Sequence, residues 1–480
     1  MAVLWAMALL GAAGTGWIYY EQLDGNLRRD KLNLGQKPME NSPNAAGQRS
    51  INVLVLGSDS RASKENRRLG GAAGESQRPP LADVQMLVHL SADRSNISVV
   101  SIPRDTLVRI PECQGPDGGK PFQPIRAKIN ASLARGGPGC TVATWFELTG
   151  IPIDHFIMAD FAGVVDIADA IGGVPVCVDA NIHSRGKGHG SGLKLKKGTT
   201  RIRGAQALQW LRTRYGFEDN GDIGRTHAQH MYMSSMVREL QTGLGSPREL
   251  MRLAEAATKT LTVDEGMGVK DLYELAQKLR RVPPERITST TMPWMEDPQN
   301  NGHVLPMPGD AEKLFSLVRR DIALDGKPSK ATKNTMGHDR RRANESVDVL
   351  VLNGTRTHNL PAVEGRARDI SKQLVSKGFE RAAVRSTPRR QRETTVTYPA
   401  GLSADALAVA EALDLPKAAV SEVSNATEIT VVVGSDWRSG STYPEAAQKS
   451  RDDERVPNSA APLRADDRRA CMKVNRYYTW

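Results

Sequence analysis

Six short polar motifs, separated by apolar segments, hold the residues of this chain best suited to chemistry: LGSDSR (56–61), LADVQML (81–87), SIPRDT (101–106), KIN (128–130), LRTR (211–214) and DIGRTHAQ (222–229). Between them they supply two carboxylates at strand ends, Asp59 and Asp83, and the cations Arg61, Arg104, Lys128, Arg212, Arg214 and Arg225. A metal-bound diphosphate needs that inventory. Two hard oxygen ligands, completed by phosphate oxygens and water, suit Mg²⁺, which rarely receives a full protein cage. Arginine suits a diphosphate because its planar fork meets phosphate oxygens two at a time. Arg225 and Gln229 are four positions apart and share a helical face, with Asp222 a candidate N-cap placed to hold Arg225. Taken singly, each aspartate reads as a turn or cap residue and each cation as a solvated surface charge. Only the combination argues for a site.

The elements that must position these groups are legible nearby. INVLVLG is a β-branched run closed by Gly57 and reads as a buried strand delivering Asp59. Asp83 immediately precedes the strand MLVHLSA (86–92), so both carboxylates fall at one sheet edge. ISVVSIP (97–103) pairs with that strand across the turn Asp93–Asn96, and Arg104 follows Pro103 at its end. TVATWFELTG and FAGVVDIADAIGG have helical spacing and end in glycine; DHFIMAD and VPVCV are strand-like. GAQALQWLR and RTHAQHMYMSSMVREL read as helices bearing Arg212 and Arg225, and two more helices, two late strands and DAEKLFSLVRRD complete the region. Interleaved strands and helices predict a layered αβα sandwich over residues 51–321, with 60–80 a long loop. Residues 322–346 read as a polar linker, VDVLVLNGT opens a second small α/β domain over 347–437, and 438–480 read as a disordered tail.

At 480 residues with 39% hydrophobic content, the chain can build several cores and is not a disordered protein. The net charge of +11 suits polyanions of any kind: nucleic acid, anionic lipid or anionic glycopolymer. Residues 1–20 form an apolar run ended by Trp17, Tyr19 and Tyr20, near the ~20 residues that span a bilayer. They read as a transmembrane anchor, followed by a polar tether over 21–50. The rival, a cleaved signal peptide, lacks its basic n-region and a clear cleavage site here. Either way the remainder lies outside the cytoplasm, which argues against a nucleic-acid partner. The cations are also spread among motifs instead of lying along one recognition helix.

Export permits disulfides. Cys113 in PECQGP and Cys140 in GGPGC suit a staple across a loop, contributing roughly 3 kcal/mol through the unfolded chain. Cys177 reads as a buried strand thiol and Cys471 as part of the polar tail. Without a C-x-x-C pair a zinc site is not supported. The loop 183–192, with His183 and His189, is too rich in glycine to present rigid metal ligands.

The order and company of GSDSR, SIPRD, KIN and the Arg-x-Arg and Asp-x-x-Arg-x-x-x-Gln block resemble the LytR-CpsA-Psr family over roughly residues 51–321, and 347–437 resembles the carboxy-terminal module often attached to LytR-type proteins. The resemblance implies a mixed central sheet, with Asp59 and Asp83 ligating Mg²⁺ or Mn²⁺. It implies that Arg104, Lys128, Arg212, Arg214, Arg225 and Gln229 grip a diphosphate with support from Arg61 and Asp105, and that Arg104, Asp105 and Arg225 act in catalysis, with Asp105 one candidate general base. The implied reaction moves a glycopolymer from a polyprenyl-pyrophosphate donor to peptidoglycan, forming a phosphodiester, at the outer side of the cell membrane from a single-pass anchor. FAGVVDIADAIGGVPV and MYMSSM offer apolar surface for the polyprenyl tail, and equally for ordinary core packing. Two positions depart from the family pattern: Leu81 stands where arginine is usual, and Ala228-Gln229-His230 stands where Arg-Gln-Gln is usual. Two other readings stay open, a hydrolase that admits water to the same site and a non-catalytic wall-binding or regulatory protein.

Overall fold

The computed structural model describes residues 17–36, 48–70, 79–115, 119–185, 190–217, 222–242, 247–300, 302–327, 343–356, 360–386, 390–391, 393–399, 401–415, 419–423, 426–444, 455–460, 462–464 and 471–480. These fall into two compact units. One comprises the described parts of Met1–Glu40, Ile51–Lys327 and Val456–Trp480; the other those of Asn41–Ser50 and Pro328–Arg455.

The first unit is built on an eight-stranded mixed sheet. In chain order its strands are β1 (Arg28–Asp30), β2 (Ile51–Ser58), β3 (Ala82–Leu90), β4 (Ile97–Ser101), β5 (His155–Ala159), β6 (Leu261–Asp264), β7 (Ile287–Thr291) and β8 (Leu463–Arg464), and across the sheet they run β1-β6-β5-β2-β3-β4-β7-β8. The expected hairpin forms, with Leu90 opposite Ile97 in the antiparallel β3–β4 ladder. β2 is parallel to β5 and antiparallel to β3. The ends of β2 and β4 and the start of β3 therefore lie along one sheet edge.

Helices cover both faces: α1 (Lys64–Gly70), α2 (Ser132–Thr149), α3 (Phe161–Ala170), α4 (Ala205–Arg212), α5 (Asp222–Thr242), α6 (Pro247–Thr260), α7 (Val269–Arg280) and α8 (Asp310–Arg319). Alternation along the strands sorts the side chains. Leu54, Leu56, Leu87, Val100 and Phe156 form one core with Trp145 of α2 and Leu314 of α8. On the opposite face Met86, Leu90 and Val99 meet Met233 and Val237 of α5, while Val53 and Val263 meet Leu275 of α7 and Ile167 of α3. This is the layered αβα sandwich with a mixed central sheet. A third core lies beside it, where Val176, Ile202, Trp210, Tyr232 and Met472 pack together.

Several expectations are corrected. Residues 21–36 of the supposed tether are structured: 17–26 are helical, β1 pairs in parallel with β6, and Leu23, Leu27 and Leu34 are buried. Three spaced leucines suffice to dock a segment whose composition is polar. The loop 60–80 contains α1. The region 438–480 is not a free tail either, because β8 pairs with β7 and Met472 is buried. Cys471 is bonded to Cys177, so Cys177 is not a lone strand thiol. The crosslink and a few apolar contacts order a stretch that composition alone assigns to disorder. Cys113 and Cys140 form the expected staple. The GGPGC segment kinks α2, leaving helical geometry at Gly136 and at Gly137, where φ is +68°, and resuming at Pro138.

The second unit carries a five-stranded sheet in the order Ala382–Val384, Val349–Asn353, Ile429–Val433, Thr395–Tyr398, Val420–Glu422, with helices Arg366–Ser376 and Ser403–Ala412. Val351, Leu374, Phe379, Val396 and Trp437 are buried in its core. It is a small α/β domain, as its sequence pattern implies.

Candidate active site

The site begins where β2 loses its register. The ladder to β3 shifts between Gly57 and Ser58, and a Cβ on Gly57 would come within 2.9 Å of the Val84 Cβ. Glycine thus lets the two backbones close together just before the chain turns out to Asp59. There the Asp59 N–H donates to the Leu81 carbonyl at 3.1 Å, and the Leu81 N–H donates to Asp59 Oδ1 at 2.7 Å. Asp59 is only 6% exposed. Leu81, at a position where the family usually has arginine, holds Asp59 through its backbone. Asp83 lies two residues further along, on β3.

Arg104 follows Pro103 at the end of β4, in a turn closed by the Thr106 N–H to the Pro103 carbonyl at 3.0 Å. Its Nη1 donates to Asp83 Oδ1 at 2.8 Å and its Nε to Asp105 Oδ2 at 3.3 Å. Lys128 Nζ donates to the other oxygen of Asp105 at 2.8 Å. Four predicted residues from three motifs thus form one chain of ion pairs, Asp83–Arg104–Asp105–Lys128.

Arg212, at the end of α4, donates from Nη1 to the Leu69 carbonyl of α1 at 3.1 Å, and its guanidinium lies 5.1 Å from the centre of the Phe161 ring. Although its surface is solvent-accessible, crowding lowers its pKa: desolvation first, then repulsion from Arg61 and Arg214, opposed by attraction to Asp83 and Asp59. Arg61, Arg212 and Arg214 therefore share one electrostatic neighbourhood with both carboxylates. Arg225 and Gln229 are each 5% exposed, one turn apart on α5, and Gln229 Nε2 donates to the Leu211 carbonyl at 3.1 Å. The side chain of Asp222 lies outside the described residues, as does His189 of the 183–192 loop.

Sequence reasoning missed three contributors. Phe161 faces Arg212, Trp210 Nε1 donates to the Ala228 carbonyl at 2.8 Å, and His230 lies 2.8 Å from Ser101 Oγ. His230 is 2% exposed, and burial, with repulsion from His227, pushes its pKa down to about 3. A histidine directly after Gln229 in a helix carrying Arg225 was the available signal. Ala228, where the family usually has arginine, is fully buried in the core beside Trp210.

Among the described residues no group of three or more His, Cys, Asp and Glu forms a metal cage. Asp59 and Asp83, a carboxylate pair set among cations, match the sparse protein ligation of a Mg²⁺ that shares its shell with phosphate oxygens.

Guanidinium and ammonium groups gathered with carboxylates at strand ends of an αβα sandwich are a donor set suited to a phosphate-rich polyanion. Residues 19–316 match the LytR_cpsA_psr family, and the chain belongs to that family. Residues 346–437 match the domain described as LytR cell envelope-related transcriptional attenuator. The chain is 27% identical over 465 residues to the cell wall biosynthesis protein LcpA of Corynebacterium glutamicum, covering 89% of this chain and 85% of that protein. It is 29% identical over 251 residues to the polyisoprenyl-teichoic acid–peptidoglycan teichoic acid transferase TagU of Bacillus cereus, covering 52% of this chain and 71% of that one. Of solved structures, the LytR-Csp2A-Psr enzyme from Actinomyces oris aligns with a TM-score of 0.45 and 21% identity over 61% of this chain and 96% of that one.

Proposed function

We propose that this protein transfers a glycopolymer from a polyprenyl-pyrophosphate carrier to peptidoglycan, forming a phosphodiester bond. The observation that carries this reading is the ion-pair chain Asp83–Arg104–Asp105–Lys128 lying in the electrostatic neighbourhood of Arg61, Arg212 and Arg214. The acceptor hydroxyl oxygen attacks the sugar-linked phosphorus. A new O–P bond forms, the bond to the polyprenyl phosphate breaks, and the hydroxyl proton passes to solvent. Arg104, Lys128, Arg212, Arg214, Arg225 and Gln229 bind the diphosphate and stabilise negative charge as it builds on the leaving phosphate. Asp105 accepts from both Arg104 and Lys128, so its role is to orient them. Asp59 and Asp83 would hold Mg²⁺ or Mn²⁺, which when bound neutralises diphosphate charge.

Packing beside this site supports a berth for the lipid. Val55, Val84 and Val88 sit on interior strands under helices, yet they are only half-buried, with Met233 and Val237 of α5 near them. Interior strands covered on both faces are ordinarily sealed, and incomplete packing there supports a channel for an isoprenoid chain. Two disulfides that use all four cysteines support an extracytoplasmic location. Most of the proposed single-pass anchor, residues 1–20, lies outside the described residues. Among those described, no helix is long and apolar enough to cross a membrane.

The test incubates purified protein with a synthetic polyprenyl-pyrophosphate disaccharide and peptidoglycan fragments, with and without Mg²⁺, and seeks the ligated product by mass spectrometry. Release of polyprenyl phosphate without any ligated product, at saturating acceptor, would identify a hydrolase instead.

A further inference from the structure

Three consecutive residues of α5 each bond to a different part of the site. The Ala228 carbonyl accepts from Trp210 Nε1 at 2.8 Å, Gln229 Nε2 donates to the Leu211 carbonyl at 3.1 Å, and His230 Nε2 lies 2.8 Å from Ser101 Oγ. Trp210 and Leu211 directly precede Arg212, while Ser101 stands three residues before Arg104 on β4. The Ser101 hydroxyl donates its own proton to Thr291 Oγ1 at 3.2 Å. Its oxygen is therefore the acceptor toward His230, which places the imidazole proton on Nε2.

We propose that His230 is a positioning residue, whose hydrogen bond to Ser101 locks the helix bearing Arg225 against the strand that delivers Arg104. This rests on the diphosphate-binding reading of the site above. Burial supports it: at 2% exposure the ring stays neutral and is shielded from bulk solvent. The two bonds to Trp210 and Leu211 set α5 against α4, whereas His230 ties it to the sheet at Ser101, one turn before Ser234 comes within 3.4 Å of Ser289 on β7. Without that tie, Arg225 and Arg104 lose their common frame, and misplacement on the order of 1 Å costs up to about 100-fold in rate.

The test compares His230→Leu, which fills the space without a donor, with His230→Gln, whose amide supplies one. The measured quantities are glycopolymer transfer and the affinity for farnesyl pyrophosphate, with farnesol as the control ligand. The Leu variant should bind farnesyl pyrophosphate about tenfold more weakly and transfer on the order of 30-fold more slowly, with farnesol binding unchanged; the Gln variant should recover to within about threefold. Ser101→Ala should reproduce the Leu loss, and the double variant should be no worse than either single one, as expected for partners in one bond. Losses that multiply, a Gln variant no better than Leu, or a folded Leu variant at full affinity would each overturn the assignment. If the unsubstituted protein binds farnesyl pyrophosphate yet transfers nothing, the transferase reading fails, while the affinity series still decides the role of His230. A His230→Leu protein without its near-ultraviolet circular dichroism is set aside, and the Ser101→Ala and Gln variants decide.

Discussion

Arg104 contacts both Asp83 and Asp105 and so links the carboxylates of two motifs. Replacing it with alanine removes a phosphate donor and leaves two carboxylates less neutralised beside an incoming diphosphate. Loss of one charge-stabilising donor costs about 3–4 kcal/mol of transition-state stabilisation, on the order of 100- to 1,000-fold in rate. The folded state loses far less. The Arg104 and Asp83 side chains keep 18% and 29% of their exposure, and partly solvated pairs of this kind contribute about 1 kcal/mol or less. Arg104→Ala should therefore show the native near-ultraviolet spectrum and a nearly unchanged unfolding midpoint, with kcat/KM for transfer down at least about 100-fold. Arg104→Lys should recover less than about tenfold, since one ammonium cannot reproduce the fork that bonds two carboxylates and a phosphate. Transfer from the lipid-linked disaccharide, with the folded state checked in the same preparations, measures this. A folded Arg104→Ala protein working within about threefold of the unsubstituted rate would refute the reasoning from the ion-pair chain.

The remaining predictions separate structural from chemical roles. Asp59→Ala should raise the Mg²⁺ concentration required for transfer and also destabilise the fold by about 1–3 kcal/mol, because Asp59 Oδ1 holds the Leu81 N–H; Asp83→Ala should change the Mg²⁺ requirement with little effect on stability, and an unaltered requirement in both would remove them as ligands. Cys471→Ser should free residues 471–480, seen as rapid proteolytic trimming, and cost about 2–4 kcal/mol; resistance equal to the unsubstituted protein would show that non-covalent packing alone holds this end. At the far edge of the sheet, the hydrogen bond from His155 Nδ1 to buried Asp264 raises the histidine pKa against desolvation. Its stabilisation is complete below the unfolded value of about 6.5 and is lost as pH rises through the elevated folded value. Unfolding midpoints should thus fall between mildly acidic and alkaline pH, and His155→Gln should flatten that fall by about 1 kcal/mol; an unchanged pH profile in the variant would contradict it.

Local features of this chain were settled by neighbouring residues. The β-branched run ending at Gly57, the hairpin across Asp93–Asn96 and the helical spacing of α3 to α5 are set within a few positions, so periodicity and turn chemistry reveal them. The motifs likewise single out the side chains proposed for the site, because a diphosphate would demand particular donor types. Which donor meets which acceptor is another matter. Arg104 bonds Asp83 from 21 positions away, and His230 meets Ser101 from 129 away. Such pairs exist only after strands and helices pack, and sequence spacing carries no distance between them. The same holds for the ordering of residues 21–36 and of the segment ended by Cys471. Each is polar in composition and acquires structure only by docking against a surface already built from distant parts of the chain, where a few leucines, one methionine or a disulfide offset the entropy of a short segment.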